Sequence, residues 1–351
     1  MNKTESRKDE HVQVSLEKNV SSEYNYWDDI RLIHNSLPEI SKEDIDLSTN
    51  LFGKKLGAPL IIASMTGGYP KAKKINENLA IAAQKYQIGM GVGSQRAALE
   101  KKDLVETYSI IKDYDIPLRF ANIGASQIVM WGHEKTLENA EKMIEMIDAD
   151  VFIVCLNFLQ EAVMPEGESN ARGVIDSIKK LAKDLKKPVI VKESGAGISY
   201  DVAEKLSKTK ISGIDVGGLG GTSFSAIEHF RSKIINDKSH ERGGKTFWNW
   251  GIPTPTSILH VGDATDWKIP IIATGGIRNG LDAAKSIVLG ADAAGIARHL
   301  LKPAINSSKE VSEELDIILK ELRATMYLLG IDEIEKLHDC DWVIVGDRLW
   351  I

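Results

Sequence analysis

The sequence pairs glycines with cations at several points. Thr274-Gly275-Gly276-Ile277-Arg278 is followed one short unit later by Ala297-Arg298, and Gly217-Gly218-Leu219-Gly220-Gly221-Thr222-Ser223 precedes both. Paired glycines let backbone N–H groups come close to an anion, and a helix opening after Arg278 adds its positive end. The combination suits a phosphate. Two glycine turns and a surface arginine are the plainer alternative, and glycine pairs alone are a weak signal.

Lys192 closes the apolar run VIVKE, where the sole acid, Glu193, lies on the opposite face. A lysine there suits an anionic ligand, the N1–C2=O edge of a reduced flavin being one candidate; snorkelling to solvent is the alternative. Asn157, Gln160 and Glu161 follow another apolar run. Gln160 can orient a proton or a water. Glu161 is a hard oxygen ligand of the kind Mg²⁺ shares with substrate phosphates, unless it is simply a solvated glutamate. Arg7, Lys8 and His11 lie in a polar tail, which composition alone makes a solvated arm. His229, His260 and His299 stand near helical patterns and read as structural, and the Met and Trp residues as core or lid filler.

These residues need elements to hold them. Continuous β-branched or apolar runs occupy residues 59–65, 88–93, 118–124, 151–157, 189–193, 213–218, 270–276 and 291–297. Unbroken runs mark strands buried on both faces. Helical patterns such as NENLAIAAQKY, ENAEKMIEMI, VIDSIKKLAKDL and GLDAAKSIVLG separate them. Strand and helix alternating eight times predict an α/β fold, a closed (β/α)₈ TIM barrel, with an open doubly wound sheet as the fallback. Active sites of such barrels lie at the C-terminal strand ends. Polar and glycine-rich residues follow all eight runs: Ser64-Met65-Thr66-Gly67, Ser94-Gln95-Arg96, Asn122, Asn157 to Glu161, Lys192, Gly217 to Ser223, Thr274 to Arg278, and Ala297-Arg298. The phosphate site common in barrels follows strands seven and eight.

Length permits two domains or one barrel with additions. The reading is one domain over 1–351: an N-terminal extension (1–58), the barrel (59–301) and a C-terminal extension (302–351) with a helix near 311–330. A long loop, 225–256, follows strand six. The 351 residues carry a net charge of −6 and are 43% apolar, which asks for no nucleic-acid or membrane partner. Cys155 and Cys340 make no disulfide framework and fit a reducing cytoplasm. The first twenty residues lack an apolar core, so no signal peptide is expected. No run approaches the ~18 apolar residues of a membrane helix.

In this order and at these spacings, SRKDEH, SMTGG, GVGSQR, ANIGA, LNFLQE, VKESGAGIS, DVGGLGGTSF, WGIPT and ATGGIRNGLDAAKSIVLGADAAGIAR resemble the type 2, FMN-dependent isopentenyl-diphosphate isomerases from Arg7 to Arg298. The resemblance implies an FMN shell of Ser64, Met65, Thr66, Gly67, Ser94, Asn122, Lys192, Thr222, Gly275, Gly276, Arg278, Ala297 and Arg298. It implies a diphosphate shell of Arg7, Lys8, His11, Ser94, Gln95, Arg96, Asn157 and Gln160, with Glu161 on Mg²⁺. The tail becomes a charged flap. The implied reaction is a 1,3-allylic proton shift between isopentenyl and dimethylallyl diphosphate. Reduced FMN is the acid–base group, Gln160 and Lys192 assist, and NADPH or NADH serves only to reduce the flavin. A homo-oligomer, tetramer or octamer, is implied too. On this reading the flavin shell lies wholly within residues 64–298, and losing residues 1–11 leaves flavin binding unchanged.

Two positions depart from the family pattern. Cys155 stands where a histidine is usual, and Ala196 where a larger residue, often phenylalanine, packs beside the flavin. Rival readings remain. A hydroxy-acid oxidase or dehydrogenase wants a histidine base at a strand end, where none is found. An inosine-monophosphate-dehydrogenase-like enzyme wants a cysteine after strand six, where GGTSFS stands. A non-catalytic flavin-binding protein is the third.

Overall fold

The eight apolar runs form the staves of a closed parallel barrel in the computed structural model, which describes residues 3–168 and 170–350. In chain order they are β1 (Leu60–Ile62), β2 (Gly89–Gly91), β3 (Arg119–Gly124), β4 (Val151–Cys155), β5 (Val189–Lys192), β6 (Gly213–Asp215), β7 (Ile271–Thr274) and β8 (Ala293–Ile296). Each pairs with the next, and β8 closes on β1 through the register Ala294↔Leu60.

Period-two alternation along the strands stacks the interior in layers. Ile61, Phe120, Ile153, Ile190 and Ile272 fill a lower apolar layer. Leu51, Leu56 and Phe52 of a hairpin (Thr49–Leu51 with Lys54–Leu56) join this layer and plug that end. Two residues further along β3, β4, β5 and β7 come Asn122, Cys155, Lys192 and Thr274. The same alternation puts the polar layer at the open, C-terminal mouth.

The N-terminal helix and the segment after strand six flank that mouth, and the C-terminal additions pack outside the barrel. Residues 3–17 form a helix, Lys3–Glu17, rather than an irregular tail. The expected loop 225–256 is helical as well, with Phe224–Ile234 and Lys238–Thr246 packed together and Thr254–Thr265 already begun. Local signals account for the difference. Ser223 caps the first helix through Ala226 N–H and Asp237 caps the second through His240 N–H. RGGK is a poor helix signal, but its second glycine allows close packing: a Cβ on Gly244 would sit 2.6 Å from the His229 nitrogen. Among the C-terminal residues, Ser308–Leu329 starts three positions earlier than the apolar pattern suggests, because Ser307 caps it through Glu310 N–H. The strand Trp342–Ile344 pairs antiparallel with Ile30–Leu32. Among the described residues no helix is long and apolar enough to cross a membrane.

Candidate active site

Two cavities adjoin at the mouth. The outer one, about 550 Å³, lies under the glycine turns that follow β6, β7 and β8. The inner one, about 250 Å³, lies between β1 to β4 and the N-terminal helix. Ser15, Ser64, Lys192, Ser194, Thr222, Phe224, Ala297 and Arg298 line both and form their common wall.

The outer cavity is shaped by missing side chains. Gly275 and Gly276 hold φ of 128° and 76°, a region that disfavours any other residue. A Cβ on Gly221 would come within 2.6 Å of the Gly276 nitrogen, and one on Gly295 within 2.0 Å of Thr274 Oγ1. Arg298 begins the helix Arg298–Asn306 and donates to Ser15 O at 3.0 Å and Ser21 Oγ at 2.7 Å. Burial pushes its guanidinium below the ordinary value. Arg278 also lines this cavity, but Asp282 and Asp28 hold it and raise its pKa. Its helix, Gly280–Val288, is not free to meet an anion: Asn279 caps Asp282 N–H at 2.8 Å, and the Asp282 carboxylate accepts Arg278 N–H. The glycine turn, Arg298 and Lys302 also line this cavity, and the turn and the start of the helix Arg298–Asn306 are groups that could meet an anion there.

The cavities also hold unpartnered polar atoms of the kind a bound cofactor such as FMN would satisfy. The buried Ser64 Oγ, Thr66 Oγ1 and Asn122 Oδ1 have no hydrogen-bond partner, and all three residues line the inner cavity. Buried polar atoms need partners, so these await a ligand's. The lining of the outer cavity reaches beyond residues 64–298, however. Ser15, Leu16, Ser21, Ser22 and Asn25 also line the outer cavity, because the segment after the N-terminal helix folds back across it.

Lys192 has the acidic partner that its own strand lacks. Its Nζ lies 2.8 Å from Asp215 Oδ2, and both side chains are almost fully buried. Asp215 also accepts Thr274 Oγ1–H at 3.1 Å and Gly217 N–H at 3.2 Å. The ammonium thus enters the common wall already half-compensated. Glu193 is turned away, taking the N–H groups of Ser194 and Ala196, and burial pushes its carboxyl up to about 7.

In the inner cavity, Lys8 donates to Gly67 O (2.9 Å), Ser94 O (2.6 Å) and the Tyr108 hydroxyl (2.7 Å). Burial, with Arg7 alongside, lowers its pKa to about 7. Arg7 contacts Met164, and His11 Nε2 lies 2.8 Å from Glu228 Oε1. Met65 lines the same space. Glu161 is the sole carboxylate of the inner lining among the described residues. It accepts Asn157 Nδ2–H at 2.8 Å and Glu168 N–H at 2.7 Å. No group of three His, Cys, Asp or Glu side chains among the described residues could cage a metal. A cation on Glu161 would therefore take most of its oxygens from phosphate and water, as Mg²⁺ does.

Gln95 alone of the expected site residues lines neither cavity. Its side chain is buried, donating to Met143 O and accepting Asn122 N–H, so it holds the β3 end in place. Arg96 reaches the cavity while tied to Glu100 and Glu168. Cys155 lines it too, and burial pushes its thiol up to about 12. Ala196 lies outside both cavities, beside a gap of about 10 Å³ shared with Gln160, Phe224 and Trp250.

Residues inside the expected loop support the inner cavity from behind its lining. Glu228, fully buried, accepts Gln160 Nε2–H at 3.1 Å and pairs with His11 and with Arg231 at 2.5 Å. Burial pushes its carboxyl up, but His11, Arg231 and Gln160 outweigh this and hold it at about 2. Arg231 also reaches Glu10 of the N-terminal helix and Glu166. This cluster clamps that helix over the inner cavity.

A family model described as FMN-dependent dehydrogenase matches residues 11–109 and 157–343. An isopentenyl-diphosphate delta-isomerase of Picrophilus torridus is 44% identical over 349 residues, covering 99% of this chain and 98% of its own. One of Thermoplasma volcanium is 45% identical over 341 residues, covering 97% and 96%. Among solved structures, a lactate oxidase of Pediococcus acidilactici matches with TM-score 0.66 at 16% identity, over 98% of this chain and 94% of that one. A mandelate oxidase with an FMN adduct matches at 0.62 and 13%, over 95% and 92%. The two oxidases share the fold, a TIM barrel. The chain belongs to the type 2 isopentenyl-diphosphate delta-isomerases, within the FMN-dependent dehydrogenase family.

Proposed function

We propose that the protein interconverts isopentenyl and dimethylallyl diphosphate in isoprenoid biosynthesis, in the cytoplasm, as a homo-oligomer. One observation supports this most: the glycine-walled outer cavity and the cation-rich inner cavity share Ser64, Lys192, Thr222 and Arg298. A diphosphate in the inner cavity then has its hydrocarbon end against a flavin held across that wall.

The reaction adds a proton to the terminal alkene carbon and removes one from the neighbouring methylene, with no net oxidation. Reduced FMN, when bound, supplies the group that gives and takes that proton, and NADPH or NADH is needed only to reduce it. The protein's part is to position, neutralise and exclude water. Arg7, Lys8, His11, Arg96, Asn157 and Ser94 receive the diphosphate, with Glu161 presenting Mg²⁺ to its oxygens. Lys8 redirects a donor from Gly67 or Ser94 to phosphate as it does so. Gln160, held by Glu228, orients the hydrocarbon end. Lys192 stabilises negative charge on the flavin, tempered by Asp215. Ser64 offers its open hydroxyl from the common wall, and Thr66 and Asn122 offer theirs where the cofactor reaches into the inner cavity. The helix Lys3–Glu17 covers the mouth, so that a weakly basic alkene meets its acid away from water.

The test is turnover. Purified protein with FMN, NADPH and Mg²⁺ is given isopentenyl diphosphate in one series, lactate and mandelate in another. Formation of dimethylallyl diphosphate, with neither hydroxy acid oxidised, supports the reading. Hydroxy-acid oxidation without isomerisation overturns it.

A further inference from the structure

We infer that Asn25 and Trp27 are positioning residues for the cofactor's phosphate, acting through the Gly275-Gly276 turn. The inference rests on the reading that this turn receives the phosphate of FMN. Trp27 is buried and donates its indole Nε1–H to Gly275 O at 2.9 Å. The Asn25 amide donates to Gly276 O at 2.8 Å. Both carbonyls of the turn are thus gripped from the N-terminal segment.

The consequence follows from the trans peptide unit, in which C=O and the next N–H point opposite ways. No peptide bond among the described residues is cis. Holding Gly275 O on Trp27 turns the Gly276 N–H the other way, and holding Gly276 O on Asn25 does the same for Ile277 N–H. Gly275, Gly276 and Ile277 all line the outer cavity, the space open to those N–H groups. Gly221 leaves room for it, since a Cβ there would lie 2.6 Å from the Gly276 nitrogen. Glycines at positive φ have the most backbone freedom to lose, so an unsupported turn would sample other orientations.

The grip is itself fixed. Trp27 N–H donates to Asn25 Oδ1 at 3.2 Å, which settles which way the amide faces. Lys285, buried on the helix that follows the turn, donates to Trp27 O at 2.7 Å. Arg278 reaches Asp28 at 2.7 Å from the turn's other end. The segment 25–28 and the segment 275–285 therefore brace each other, and the N–H face is set before ligand arrives. Such preorganisation is what makes backbone donors effective towards an anion.

The test compares FMN with riboflavin, which lacks the phosphate. Dissociation constants for both are measured by flavin fluorescence on the full-length protein and on Asn25→Ala and Trp27→Phe, with melting curves as a fold control. Wild type binds FMN far more tightly than riboflavin. Each variant weakens FMN by roughly tenfold, the worth of about one hydrogen bond, and leaves riboflavin within about twofold. Equal weakening of both flavins, or no change in either, overturns the inference. If Trp27→Phe fails to fold, Asn25→Ala decides alone. If wild type itself fails to distinguish the two flavins, the phosphate reading of the turn falls and the inference with it.

Discussion

Lys192 and Asp215 meet at 2.8 Å across the ends of β5 and β6, with 7% and 6% of their side chains exposed. Neither residue's own strand supplies a counter-charge on the same face, so the closed barrel creates the pair. Removing one partner strands a buried charge, which costs about 3–5 kcal/mol, whereas removing both is far milder. Lys192→Met is therefore strongly destabilising, and adding Asp215→Asn recovers most of the loss. Chemical denaturation of the three proteins checks this. Losses that simply add would show that the two groups are not coupled.

Burial, with Arg7 beside it, brings Lys8 down towards neutral pH. Its folded pKa, about 7, is below the ordinary 10.5, so burying the charge costs stability most fully below pH 7. That cost fades as pH rises towards 10.5. Binding runs the other way, because a diphosphate needs the charged form. The account predicts that kcat/KM, which reports the free enzyme, falls as pH rises above about 7. Lys8→Arg, always charged, loses that limb. Lys8→Met loses it too, with KM raised roughly 10- to 100-fold, the worth of a charged hydrogen bond. A limb unchanged in both variants would assign it to another group.

The barrel is legible because parallel strands buried on both faces leave continuous apolar runs, and each of the eight runs from 59–65 to 291–297 holds one strand. The strand ends were legible for the same reason: polar residues interrupt each run at the mouth. What stayed hidden depends on distant packing. Asp215 reads as one acid inside GIDVGG, and nothing local ties it to Lys192. Glu228 and Arg231 sit in a helix whose polar residues face inward onto the N-terminal helix, so their charge looked like exposure. Gln95 followed a strand end as its neighbours did, yet one residue of helical turn sends it into the core. Asn25 and Trp27 carry no pattern at all, since their partners are carbonyls some 250 residues away.

Glu161 is the inner cavity's sole carboxylate among the described residues, and its place is distinct from the glycine turns. Glu161→Gln keeps the shape and the bond from Glu168 N–H while removing the charge a cation needs. The expected result is a Mg²⁺ requirement shifted at least tenfold higher, with flavin content unchanged. Mg²⁺ titrations of activity, alongside released-flavin absorbance, check it. Wild-type activity at limiting Mg²⁺ would remove Glu161 from the metal's shell.

The central claim is that this barrel uses its flavin without net oxidation. The direct measurement is an anaerobic count of NADPH consumed against dimethylallyl diphosphate formed, run in D₂O. The account predicts NADPH consumption that stops near one equivalent per flavin while product accumulates through many turnovers, each product carrying solvent deuterium in a methyl group. NADPH consumed in step with product, or product free of deuterium, would contradict it.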